Sequence, residues 1–322
     1  MRPMTPTAPL FSATDEALLR LARAVRDTGY RFTTVTPATH ERVNRRPGNE
    51  RARDLVGVFG WSRPFDAAIL PPGLFELMQR AEVASEDARG WRSLVRLSAL
   101  DGALFLHSAF PTSGADAVFF GPDTYRFAAA VQTELRSRRA PVRRAVDIGC
   151  GAGPGGVLIA MARPEAEALM VDINDEALRL ARLNAALAGA GNAVPLRSDL
   201  LSATDGEFDL VVSNPPYLLD PAERTYRHGG GRLGEGLSLA ILDAGLGRLA
   251  PGGTLLLYTG VAVVNGDDPF RSAAEERLAS APGVRWAYRE VDPDVFGEEL
   301  GTRAYAEADR IAAVVLTVTR EG

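Results

Sequence analysis

The chain of 322 residues contains no lysine, and all 36 of its basic residues are arginine, a bias we attribute to the base composition of its genome. Cys150 is the single cysteine. One cysteine excludes an internal disulfide and a cysteine-ligated zinc site, and no metal is expected. No apolar stretch approaches the ~18 residues that span a bilayer. The opening Met1-Arg2-Pro3-Met4-Thr5-Pro6 lacks the apolar core of a secretion signal. These absences point to a cytoplasmic protein with no membrane partner. Histidine is scarce too: His40, His107 and His228 are the only three.

What remains is the make-up of an ordinary globular protein, 46% apolar and 24% charged. Its length allows two domains, each with its own core. The net charge of −5 hides an asymmetry. Residues 1–140 hold 19 arginines against 15 acids, and residues 141–322 hold 17 against 26. Two arginine groups, Arg42, Arg45, Arg46, Arg51, Arg53 and Arg136, Arg138, Arg139, Arg143, Arg144, read first as solvated faces, with room for an acidic partner.

Residues 1–12 read as a loose tail. Ser12 then caps a helix with Leu18, Leu21, Ala22 and Val25 on one face. Further helices are expected from Pro37, over Asn49–Phe59 and over Leu74–Ala84. Apolar runs at Trp91–Leu100 and Ala103–Phe110, split by Asp101-Gly102, signal a β-hairpin. Helices followed by a hairpin resemble a winged-helix arrangement or a helical cap. Pro111–Ala117 is the best linker, which places a smaller, mostly helical domain over residues 1–115 and a second domain over 116–322. From Arg144 onward strands and helices alternate, from Ala145–Ile148 to Ile311–Thr317. That alternation predicts an α/β, doubly wound sheet covered on both faces, with ligands at the carboxyl ends of its strands.

Two such strand ends carry chemistry. Ala145-Val146-Asp147-Ile148 runs into Gly149-Cys150-Gly151-Ala152-Gly153-Pro154-Gly155-Gly156 and then a helix, a place where backbone approaches a ligand closely. In the register Gly151, Gly153, Gly156 the loop matches a dinucleotide fingerprint and suggests a nicotinamide cofactor. The next strand closes on Asp172, whose two carboxylate oxygens suit the two hydroxyls of a ribose in either cofactor. Phe208–Ser213 ends in Asn214-Pro215-Pro216-Tyr217, a stiff slot with a polar lip.

As Asp147-x-Gly149-x-Gly151-x-Gly153, the loop resembles the first motif of class I S-adenosylmethionine-dependent methyltransferases, which implies their seven-stranded, Rossmann-like sheet. The resemblance implies S-adenosylmethionine over Asp147, Gly149, Gly151 and Gly153, its ribose on Asp172, its adenine by Asp199 and Leu200, and Asn214 near the methyl. Asn214-Pro215-Pro216-Tyr217 resembles the catalytic tetrad of enzymes that methylate nitrogen conjugated to a planar π system. Asn214 and the Pro215 carbonyl would accept its N–H groups, and Tyr217 would stack on its plane. The set is similar to the glutamine-N5 methyltransferases of peptide chain release factors. Phe120-Gly121-Pro122-Asp123-Thr124 and the glycine-rich His228–Leu237 support that likeness.

The chain departs from the family where Gly121 replaces an arginine and where Tyr258 stands near a usual acid. Asp292–Leu300 has no counterpart and reads as a solvated loop or a lid. The expected activity is N-methylation of a protein glutamine in a release-factor-like partner. The alternative is an exocyclic base amine in RNA or DNA, which the arginines favour. Cys150 is badly placed as a nucleophile for carbon methylation, and His228 is not needed as a base, since an amide nitrogen sheds its proton after methylation. A partner-binding protein that kept the fold and lost activity would not need the intact tetrad.

Overall fold

The structure, a computed structural model, describes residues 11–112, 114–222, 224 and 226–322. Most of the expected N-terminal tail lies outside the described residues. The chain divides between Pro111 and Thr112 into two units.

The first unit opens with α1 (Ala13–Asp27), where Ser12 Oγ accepts the Asp15 N–H at 3.0 Å and Leu18, Leu21, Ala22 and Val25 are fully buried. Thr36 caps α2 (Pro37–Asn44) in the same way. The helix expected from Asn49 is shorter. Asp54 accepts the Gly57 N–H at 2.7 Å and starts α3 (Leu55–Phe59) there, since an N-cap fixes the first turn more firmly than propensity does. α4 (Leu74–Arg80) also stops short of Ala84. Glu82 turns left-handed at φ +56°, and the chain enters a strand. That strand, β1 (Ala84–Asp87), pairs with β2 (Gly90–Ser93) in a hairpin absent from the sequence reading. The expected hairpin is β3 (Val95–Leu100) with β4 (Ala103–Ser108). Asp101 and Gly102 both take positive φ, 49° and 79°, as a type I′ turn requires. His107, buried, shares a hydrogen bond with Ser98 at 2.7 Å, and His40 bonds to the Trp61 carbonyl, so both histidines are structural.

The second unit starts with α5 (Pro122–Ser137) and then alternates: β5 (Arg144–Ile148), α6 (Pro154–Ala162), β6 (Glu167–Asp172), α7 (Asp175–Ala188), β7 (Ala193–Arg197) and β8 (Phe208–Ser213). There follow α8 (Gly236–Leu246), β9 (Leu249–Val263), α9 (Pro269–Ala279), β10 (Val284–Asp292) and β11 (Arg310–Arg320). The strands form one seven-stranded sheet in the order β10-β11-β9-β8-β5-β6-β7, in which only β11 runs antiparallel to its neighbours. This is the class I, Rossmann-like architecture. Its central strands read as mostly apolar runs because both faces are covered. Val146 and Ile148 of β5 pack with Val211, Leu257, Ile241 and Phe270 on the α8–α9 side. Asp147 and Met170 face α6 on the other. β9 starts earlier than expected, at Leu249, and no described helix is long and apolar enough to cross a membrane.

Arg138 and Arg144, from the second arginine group, are spent on this sheet. Arg138 donates to the Gly252 carbonyl and Thr254, and Arg144 pairs with Glu167. Arg144 and Arg248 also set their guanidinium carbons 4.9 and 5.6 Å from the ring centroid of fully buried Phe208. Phe208→Ala removes that ring and leaves a cavity, so the second unit is expected to lose about 3–5 kcal/mol in chemical denaturation. An unchanged midpoint would show that the arginines, not the ring, hold this end of the sheet.

Candidate active site

Three strand ends meet where the sheet order reverses. β5 lies between β6 and β8, and the chain leaves outward through β6 and β7 before returning to β8. At such a switch point two loops diverge and leave a crevice. Here the loops are fastened together. Ser213 Oγ, fully buried, donates to the Ile148 carbonyl at 2.7 Å and joins the ends of β8 and β5. Cys150 N–H donates to the Val171 carbonyl at 3.0 Å, and Gly151 N–H to Asp172 Oδ2 at 2.9 Å, joining β5 to β6.

The crevice is a cleft of about 200 Å³. Its walls hold Asp147, Gly149, Gly151, Asp172, Asp199, Leu200, Asn214, Pro215, Pro216 and Tyr217, so almost all residues singled out from the sequence come together. Gly153 does not line it. A Cβ at Gly153 would stand 2.8 Å from Met170 Sδ and 3.0 Å from Ala181 Cβ, so this glycine lets the loop pack on β6 and α7. Gly149 and Gly151 differ. Both take left-handed φ, 65° and 54°, and a Cβ there would meet nothing closer than Val118 at 4.0 Å. The backbone at these two positions is open to a ligand.

The acids sit in different surroundings. Asp147 is buried, and its Oδ2 accepts the Gly156 N–H at 2.9 Å from the first turn of α6. Burial pushes its carboxyl up to about 7, with the charge of Asp172 adding and the Gly156 N–H opposing. Asp172 is half-buried and is also pushed up by burial, while the N–H groups of Asn174 and Gly151 oppose the rise. Asp199 is exposed at the rim, and Leu200 beside it holds φ +49°. Burial and two neighbouring acids raise the Cys150 thiol well above its ordinary value, which fits a packed loop cysteine.

Asn214 is half-buried, and among the described residues no hydrogen bond occupies its side-chain amide. Tyr217 is buried, and its ring leaves no room for a side chain at Gly260, where a Cβ would stand 2.2 Å from Cε2. Two glycines of the His228–Leu237 segment are also held to Tyr217: Cβ atoms at Gly229 and Gly234 would run into its backbone. His228 itself accepts the Asp220 N–H at 3.2 Å through Nδ1. Tyr258 donates to buried Asp123 Oδ1 at 2.6 Å, and Arg126 adds a longer contact at 3.3 Å. Burial pushes the Asp123 carboxyl up, against the help of Tyr258 and Arg126. The Tyr217 hydroxyl, raised by burial first and by Asp123 second, makes no hydrogen bond among the described residues.

A family model described as the methyltransferase small domain matches residues 128–260. The release factor glutamine methyltransferase of Deinococcus radiodurans is 33% identical over 237 residues, covering 68% of this chain and 79% of that one. The chain belongs to the release factor glutamine methyltransferase family. It is an S-adenosylmethionine-dependent methyltransferase, and the nicotinamide reading of the Gly151, Gly153, Gly156 register falls. Two relatives match over shorter spans. The ribosomal protein uL3 glutamine methyltransferase of Bordetella pertussis is 34% identical over 37% of this chain and 44% of its own. The ribosomal RNA small subunit methyltransferase C of Pasteurella multocida is 34% identical over 44% of this chain and 38% of its own.

The sequence reading missed several walls of this methyltransferase's cleft. Val118, Phe119, Ile173 and Tyr226 line it, as does Phe296 from the β10–β11 connection. Ile173 carried a local signal, an apolar residue directly after Asp172 at the carboxyl end of a strand. Phe296 is the one aromatic of the Asp292–Leu300 stretch, which read as a solvated loop or a lid, and nothing in the sequence placed its ring in the cleft.

The state of Asp147 gives a pH test. Its folded value, about 7, lies above the ordinary 3.8, so the folded protein holds this proton more tightly than the unfolded chain. Its contribution to stability is full below the lower value and is lost as the pH climbs through the upper one. Asp147→Asn keeps an acceptor for Gly156 and removes the titration. The variant is expected to gain about 1 to 4 kcal/mol on the wild type between about pH 4 and pH 7. Parallel unfolding curves across that range would mean that Asp147 stays ionised in the fold.

Proposed function

We propose that this methyltransferase transfers the methyl group of S-adenosylmethionine to the side-chain amide nitrogen of a glutamine in a peptide chain release factor. The observation that carries the reading is the position of Asn214-Pro215-Pro216-Tyr217. The tetrad ends β8 and is held by the Ser213–Ile148 bond beside the open glycine loop of β5.

The residues present fit the cofactor. Gly149 and Gly151 offer unobstructed backbone, which a bulky ligand needs for close approach. Asp147 supplies a carboxylate for a cationic amino end, Asp172 faces the cleft as an acceptor for ribose hydroxyls, and Asp199 with Leu200 gives a polar edge and an apolar face for the adenine. When bound, the cofactor supplies an electrophilic methyl on a sulfonium. The chain then has to orient a weak nucleophile, because the amide lone pair is delocalised. Asn214 and the Pro215 carbonyl accept the two N–H groups and aim the nitrogen, and the proline rings remove backbone freedom from these acceptors. Fixing that geometry, with acceptors for the positive charge that grows on nitrogen, supplies much of the rate. No general base is required, and His228 is already engaged with Asp220.

A second reading keeps the chemistry and changes the acceptor to an exocyclic base amine in RNA. Arg42, Arg45, Arg46, Arg51 and Arg53 are all exposed in the first unit, as a phosphate-binding surface would require. Purified protein given radiolabelled S-adenosylmethionine and a cell extract separates the two. Label released by protease, and found on glutamine, fits the first reading; label released by nuclease replaces it with the second. Asn214→Ala is expected to lower transfer about 100- to 1,000-fold while the protein still binds S-adenosylmethionine. Intact transfer in this variant would withdraw the slot assignment.

A further inference from the structure

The connection between β10 and β11 brings a ring into the cleft that no motif announces. Phe296 is half-buried and lines the cleft with Asn214 and Tyr217. It meets the Tyr217 ring edge to face, with centroids 5.8 Å apart and planes at 73°. Its φ is +53°, a left-handed conformation that a bulky residue keeps only where its surroundings hold it.

The surroundings do hold it. Before the ring, Asp292 accepts from Arg126 at 2.6 Å, and buried Val295 donates its N–H to the Ile311 carbonyl at 2.8 Å. After it, Glu299 pairs with Arg227, which itself lines the cleft. Tyr305, buried, accepts the Leu219 N–H at 2.9 Å, two residues beyond the tetrad. The segment is therefore fastened on one side to α5 and β11 and on the other to the stretch that follows the tetrad, and it is neither a plain solvated loop nor a free flap. Tyr217, in contrast, is only 7% exposed, its ring spent between Gly260 and Phe296.

We propose that Phe296, propped by Tyr217, is the positioning residue whose ring receives the planar group bearing the acceptor nitrogen. The assignment rests on the planar-nitrogen chemistry proposed above. Asn214 and Pro215 fix the edge of the acceptor plane, and Phe296 fixes its face. An aromatic face packs well on a planar amide or base and keeps water from the nitrogen. Tyr217 acts through Phe296, as its support.

The test compares wild type with Phe296→Leu, Phe296→Tyr and Phe296→Gly. Radiolabelled S-adenosylmethionine is the donor and a purified bacterial release factor the acceptor, with S-adenosylmethionine affinity measured separately by calorimetry. Leucine keeps an apolar side chain without the ring face, and glycine suits the left-handed backbone best. Both are expected to lower kcat/KM about 10- to 100-fold, as a misplaced acceptor would. Tyrosine is expected to recover at least half of the wild-type value, and cofactor affinity to stay within about twofold across the set. Phe296→Leu at the wild-type rate, or Phe296→Tyr no better than Phe296→Leu, overturns the proposal. If the wild type labels RNA and not the release factor, the glutamine reading fails. The same four proteins compared on RNA then decide the role of the ring by the same criteria.

Discussion

One hydrogen bond inside the sheet does more for the cleft than any residue facing it. Ser213 Oγ and the Ile148 carbonyl join the last residues of two parallel strands. Parallel neighbours are related by the sheet alone, and the loops that follow them are free to diverge. Ser213 limits that freedom at the point where the glycine loop begins on one side and Asn214 on the other. The bond is buried, and a hydrogen bond of this kind contributes about 0.5–1.5 kcal/mol. Gly151 and Cys150 repeat the device toward β6. The cleft is thus built from three strand ends held at fixed spacing, and its chemistry inherits their rigidity.

The parts visible in the sequence were those that local pattern controls. Mostly apolar runs announced the parallel strands because strands covered on both faces have little polar surface. The glycine loop and the tetrad announced the two strand ends because left-handed backbone and paired prolines leave few alternatives. Asp101-Gly102 announced its hairpin for the same reason. What stayed hidden depended on contacts distant in sequence. The start of α3 was set by the Asp54 cap, and the end of α4 by a left-handed Glu82 that feeds an unforeseen strand. Gly153 sits inside the cofactor motif but serves Met170 and Ala181, and only packing separates it from Gly149 and Gly151.

Two positions far apart along the chain belong to elements that come together in space. Gly121 lies at the entry to α5 and Tyr258 near the middle of β9, yet the elements they belong to meet at Asp123. Burial makes a lone carboxylate there unfavourable, and the Tyr258 hydroxyl and the Arg126 guanidinium both give it a donor.

The walls of the cleft come from two sources with different freedom. The glycine loop, Asp172 and the tetrad all leave the ends of central parallel strands, where any change in length would shift the strands themselves. Phe296 arrives from the connection between the two outermost strands on one side of the sheet. That connection can lengthen, shorten or change sequence while the central strands keep their register. With the role proposed for Phe296, acceptor preference in this architecture is a separable trait, open to change by grafting or evolution at a peripheral hairpin without rebuilding the methyl-transfer machinery.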